Sequence, residues 1–150
     1  MSAESISLIA PDTSIKVSTT LDKSVGKKYL TDGSPETCWT SQQGLPQHIQ
    51  LVFAERVIPK RIALTFQGGF VGTQCSIFYE SDTTGRKEWQ PLTTLYPEDV
   101  NRRQVFDIPP PNLDSIGDGV RSLKLVFEQS SDFFGRITVY DLQIEGTMAG

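Results

Sequence analysis

The chain is poor in the residues from which catalytic and metal centres are usually built. A single histidine, His48, and two cysteines, Cys38 and Cys75, are scattered along 150 residues. A tetrahedral zinc site is hard to assemble from so few ligands, and two cysteines make no disulfide framework. His48 has no catalytic neighbour in sequence, so it reads as a surface or partly packed residue. Cys38 adjoins Trp39, and Cys75 faces the inferred core side of a strand, where thiols behave as inert small hydrophobes. The Gly68-Gly69 pair has no phosphate-cradling motif around it and no helix after it. No enzyme is expected.

Other shortages narrow the field further. Basic residues are outnumbered 14 to 18, giving a net charge of −4, whereas general nucleic-acid binders need a surplus of clustered Lys and Arg. The pairs Lys27-Lys28, Lys60-Arg61 and Arg102-Arg103 are short and isolated, and read as solvated surface charge; direct nucleic-acid binding is not expected. No apolar run approaches the roughly 18 residues that span a bilayer. Residues 1–10 lack a basic start and their apolar stretch is interrupted by Ser7, which argues against a signal peptide. There is no Asn-x-Ser/Thr sequon either, so an intracellular protein is favoured. Alanine occurs only five times, too rarely for a helical bundle.

What the chain does have is β-branched residues and punctuation. Val, Ile and Thr supply 35 residues, and Gly with Pro 21. The first group fits a pleated surface and the second breaks helices. Apolar residues alternate in 48–53 (Ile49, Leu51, Phe53), 61–66 (Ile62, Leu64, Phe66), 74–80 (Cys75, Ile77, Tyr79) and 122–128 (Leu123, Leu125, Phe127). Residues 15–20, 88–95, 104–108 and 136–145 complete a set of about eight strands. Turn-forming clusters separate them at 31–35, 67–70, 82–85, 109–112 and 117–119. The pattern predicts one all-β domain, a β-sandwich or jelly roll of antiparallel strands. The prolines at 109–111 read as a loop crossing between sheets, and the chain ends as loose.

The stretch from Lys28 to Ser41 is the most informative. Asp32-Gly33 makes a tight turn, Ser34 and Thr37 add oxygens, and Trp39 turns inward. Hard cations such as Ca²⁺ take about six to eight oxygens, many of them carbonyls. A plain loop, with Asp32 and Thr37 bonding backbone groups, explains the same spacing.

The pattern Asp32-Gly-x-x-x-Thr37-x-Trp39, with strands after it and the closing run Ile137 to Gly146, resembles the discoidin domain. That is the coagulation factor five/eight C-type module, a jelly-roll sandwich of the galactose-binding-like superfamily. Phe66-Gln-Gly-Gly-Phe70, Tyr96-Pro-Glu-Asp99 and Asp132-Phe-Phe-Gly-Arg136 resemble, more narrowly, a family of proteins associated with nuclear receptors of subfamily 2, group C. The resemblance runs from about Leu8 to Gly146, marking 8–146 as the domain and 1–7 and 147–150 as flexible ends. It implies a non-enzymatic binding domain of the nucleus or cytoplasm whose partner is a protein, a nuclear receptor in the vertebrate members, where the family represses transcription. The terminal disulfide of secreted discoidin domains has no counterpart here.

Carbohydrate-binding relatives hold a structural Ca²⁺, and mapping that motif gives a ligand set. It comprises the carbonyls of Tyr29 and Ser34, the carboxylate of Asp32, Thr37 through carbonyl and hydroxyl, the carbonyl of Tyr140 and the carboxylate of Asp141. Partner binding is expected from two loops at one end of the sandwich, through Phe70 and through Phe133, Phe134 and Arg136. Adjacent aromatics cannot both face one core, so Phe133 or Phe134 is expected at the surface, while Trp39 and Trp89 are expected in the core. A monomeric protein-interaction adaptor is the leading reading. A calcium-dependent glycan- or lipid-headgroup-binding module is the alternative.

Overall fold

The computed structural model describes residues 5–81, 88–109 and 116–149. Among these, nine strands follow in order: β1 Ile6–Ser7, β2 Ser14–Val17, β3 Trp39–Thr40, β4 Gln47–Phe66, β5 Gln74–Ser81, β6 Glu88–Leu95, β7 Arg103–Asp107, β8 Val120–Gln129 and β9 Thr138–Met148. Two short 3₁₀ turns, Lys23–Val25 and Lys27–Leu30, lie between β2 and β3. Every strand pairing is antiparallel. The protein is an all-β, antiparallel sandwich.

The two alternating segments 48–53 and 61–66 are halves of one 20-residue strand, β4. Its first half pairs with β2 and β8, and its second half with β9 and β7. The change of partner falls at a register shift between Val52 and Val57. A bulge bends a strand and raises its twist, so β4 begins in one layer, β2-β4-β8-β5-β6, and ends in the other, β7-β4-β9-β1. Both layers feed one buried cluster containing Ile49, Leu51, Ile62, Leu64, Ile77, Leu123, Leu125 and Ile144. Phe66 and Phe127, both fully buried, meet edge to face at 5.8 Å between ring centres.

Some details depart from the sequence reading. Ile6–Ser7 pairs with Gly146 and Glu145 of β9, so part of the expected loose end is built into the sheet. The turn expected at 82–85 and most of the proline-rich stretch at 109–112 lie outside the described residues. Trp39 is fully buried, with its indole N–H donating to the Thr19 carbonyl at 3.0 Å. Trp89 is only half-buried, and it sits on the outer face of β6.

Candidate functional site

Two regions gather the residues singled out by sequence. The first is the loop that precedes β3. Asp32 closes an Asx turn, one carboxylate oxygen accepting from the Ser34 N–H at 3.1 Å and the other from the Thr37 hydroxyl at 2.5 Å. These bonds, the Thr37 hydroxyl first, hold the Asp32 pKa below the usual carboxylate range. The Thr37 hydroxyl also lies 3.5 Å from the Ser34 carbonyl. Gly33 has φ of +72°, the left-handed turn conformation that glycine takes without strain.

The pairing of β3 with β9 brings this loop against the last strand, Trp39 opposite Val139 and Thr40 opposite Thr138. Thr31, Gly33 and Asp141 line one groove of about 490 Å³, together with Ala10, Gln143 and Glu145. Burial raises the Asp141 pKa; Arg103 and Gln143 oppose that rise, and the charge of Asp32 adds to it. The Asp32 charge is the smallest of these influences on Asp141. Tyr140 falls at the register shift between Thr65 and Phe66, and has no register partner on β4. The residue left over in a bulge frees its backbone groups for other partners. Tyr29 lies in the second 3₁₀ turn, its N–H donating to Gly26. Among the described residues no three His, Cys, Asp or Glu side chains come together. A cation here would rest on two carboxylates plus carbonyl and hydroxyl oxygens, which is the hard, oxygen-only donor set that Ca²⁺ prefers.

The second region is the loop end beyond β4 and β8. Residues 132–135 form a turn closed by the Gly135 N–H on the Asp132 carbonyl at 3.0 Å. Because the turn is not a strand, both aromatics escape the core: Phe133 is 94% exposed and Phe134 53%. Their rings meet edge to face at 5.3 Å. The Arg136 guanidinium forks onto Asp132, with Nε to Oδ2 at 2.9 Å and Nη2 to Oδ1 at 3.4 Å. That bond is the main reason the Asp132 pKa is lowered and the Arg136 pKa raised. The same guanidinium lies 5.0 Å from the Phe70 ring centre and 5.8 Å from that of Phe134. The structure thus brings Phe70, Phe134 and Arg136 into contact, with Phe133 stacked on the outside.

Sequence patterning missed the residues that hold this cluster. One Asp99 oxygen accepts from the Gly69 N–H at 2.7 Å and from the Ser131 hydroxyl at 3.1 Å. Asn101 caps the Gly68 N–H, and the Ser131 hydroxyl oxygen in turn accepts from the Val71 N–H at 2.9 Å. Three loops, 67–72, 96–102 and 130–136, are tied into one body. Asp99 lies in the Tyr96-Pro-Glu-Asp99 motif, the one signal that could have found it. Each such bond is worth about 0.5–1.5 kcal/mol net, so Asp99→Ala is expected to speed hydrogen exchange at the Gly69 amide several-fold. The amides of β8 are expected to keep their rates. Unchanged exchange at Gly69 would show that the loops stand without Asp99.

No protein-family model matches the chain. Among solved structures it is similar to a family 32 carbohydrate-binding module of Clostridium perfringens NanJ in complex with galactose. That match has a TM-score of 0.73 and 14% identity, over 95% of this chain and 99% of the other. A Bacteroides fragilis F5/8 type C domain matches with TM-score 0.74 and 14% identity, over 95% and 96%. These likenesses define the class by fold, a discoidin-type sandwich. The zebrafish (Danio rerio) nuclear receptor 2C2-associated protein is 42% identical over 93% of this chain and 95% of its own. The human protein of that name is 35% identical over 93% and 96%. The chain belongs to the nuclear receptor 2C2-associated protein family.

Proposed function

We propose that the protein is a non-enzymatic, monomeric adaptor of the nucleus or cytoplasm. It binds a protein partner, a nuclear receptor of the 2C2 kind, through the loop end that carries Phe70, Phe133, Phe134 and Arg136. The observation that carries this reading is Phe133, an almost fully exposed aromatic held on a cross-tied body of three loops. Large aromatics that enter a partner's pocket dominate interface energies, and a rigid display loses little entropy on binding. The names of the relatives support a receptor as the partner.

Calcium has a structural part in this proposal. Asp32, Ser34, Thr37, Tyr140 and Asp141 would hold the ion, with the Tyr29 carbonyl completing the set. The ion would neutralise the carboxylates of Asp32 and Asp141 and pin the loop before β3 to β9. The glycan reading draws on fold neighbours that bind sugars, one of them in complex with galactose.

The test is binding to immobilised zebrafish nuclear receptor 2C2. The wild-type chain is expected to bind, and Phe133→Ala to weaken binding roughly tenfold or more. The variant is expected to melt with the wild type, since the ring packs on little besides Phe134. Equal binding by the variant, or none by the wild type, would overturn the proposal. A clear hit for the wild type on a glycan array would put the sugar-binding alternative in its place.

A further inference from the structure

The outer face of the layer opposite β9 carries an apolar patch within the polar surface of a solvated antiparallel sheet. On β5 and β8, Cys75, Ile77, Leu123 and Leu125 point inward and are fully buried. Their outward neighbours include Phe78 and Val126, both half-buried. With Trp89, Pro46, Lys124 and Glu128 they line a recess of about 340 Å³. The Lys124 ammonium lies 5.4 Å from the Trp89 ring centre. Among the described residues β6 pairs only with β5, so the Trp89 side of the recess is a sheet edge.

The recess has a direction. Lys124 and Glu128 lie four residues apart on the same face of β8, about 13 Å at the usual rise of a strand. Glu128 accepts the Ser76 hydroxyl. Next to it is Pro46, the residue before the paired couple Gln47 and Phe127. Leu45 follows, 42% exposed, and the Gly44 N–H donates to the Phe134 carbonyl at 2.8 Å. The recess is therefore continuous, through Leu45 and Pro46, with the loop end carrying Phe133 and Phe134.

We infer that the protein partner engaged at Phe133 also lays an extended segment of about four residues along this recess. Its apolar side chains cover Phe78, Trp89 and Val126. An acidic group of the segment faces Lys124 and a basic group faces Glu128, matching the opposite charges at the two ends. The inference rests on the adaptor reading above, and adds to it the face of the sheet and the chemistry of the segment.

The test uses the full chain labelled with 5-fluorotryptophan. Only Trp39 and Trp89 report, and Trp89→Phe assigns the two resonances. On titration with unlabelled zebrafish nuclear receptor 2C2, the Trp89 resonance is expected to shift, while that of fully buried Trp39 holds its position. Lys124→Glu is expected to weaken binding about tenfold with the Trp39 resonance unmoved, which shows an intact fold. Suppose the receptor binds in a Phe133-dependent way, yet the Trp89 resonance stays still and Lys124→Glu binds as the wild type. The recess would then be unused, with the adaptor reading intact. Absence of any receptor binding would remove both. A Trp89 shift that follows the concentration of the chain alone would make a second copy the occupant and overturn the assignment to the partner.

Discussion

Gly146→Ala is expected to destabilise the fold by at least the 1–3 kcal/mol typical of an overpacked site. A Cβ at this position would lie 2.0 Å from the Ile58 carbonyl oxygen and 3.0 Å from a Leu8 methyl. The obstacle at Ile58 is backbone, which cannot rotate away as a side chain can. Gly146 pairs with Pro59 of β4 on one side and Ile6 of β1 on the other, so the sheet cannot open on either side without losing pairing. For a chain of this length about 3 kcal/mol lowers the melting temperature by roughly 6–12 °C. Gly26→Ala is the control: its Cβ would meet nothing nearer than 3.9 Å and its φ is ordinary, so a change within about 0.5 kcal/mol is expected. If Gly146→Ala melts with the wild type, β9 has a different register against β4. The placement of Tyr140 and Asp141 would then move with it.

The register matters because alternation made the strands legible, and bulges are where alternation misleads. The two runs 48–53 and 61–66 each show a period of two, but the exposed residues Ala54, Glu55 and Arg56 with Pro59 resemble a break. The structure places a register shift there and carries the strand on into the other layer. Trp89, expected in the core as a large aromatic, is only half-buried. Counting by twos from Leu95 puts Trp89 on the core side. A shift between the pairs Ile77–Thr93 and Phe78–Pro91 inserts one extra residue on β6, so Leu95 and Leu92 face inward at a spacing of three and Trp89 faces out. Nothing in composition marks such an insertion.

The candidate sites divide in the same way. The turn at Asp32-Gly33 and the neighbouring oxygens of Ser34 and Thr37 are local chemistry, and short-range sequence shows them. The approach of Asp141 is a long-range consequence of β3 pairing with β9, which no periodicity encodes, and it entered only through a family resemblance. Phe133 and Phe134 were legible as an aromatic pair too close in sequence to share a core. That both are exposed follows from the Asp132–Gly135 turn, with Gly135 at φ +80°. Asp99 looks like an ordinary surface acid until the three loops it joins are seen together.

Chelating calcium is expected to lower the melting temperature of the wild type and to leave Asp141→Asn unaffected, and the two curves are expected to cross. At free calcium 100 times the dissociation constant, an ion bound only to the folded state adds about 2.7 kcal/mol. For this length that is roughly 5–11 °C. Without calcium the sign at Asp141 is adverse. Its pKa is raised in the fold, by burial first and by Asp32 as a further cause. Its contribution is therefore favourable only below the unfolded value of about 3.9, and is lost as pH rises through the folded value. At neutral pH the ionised carboxylate is a cost, so in chelator Asp141→Asn should melt at or above the wild type. Asp32 has the opposite sign: its pKa is lowered by the Thr37 and Ser34 bonds, and it stabilises at neutral pH and loses this as pH falls. Asp32→Ala should therefore melt below the wild type in chelator, and it too should lose the response to calcium. With calcium present the wild type should overtake Asp141→Asn, because the ion turns the two carboxylates into ligands. Identical melting of the wild type in calcium and in chelator would refute the site. The raised pKa of Asp141 would then be an electrostatic cost, set mainly by its burial, that the sandwich carries for other reasons.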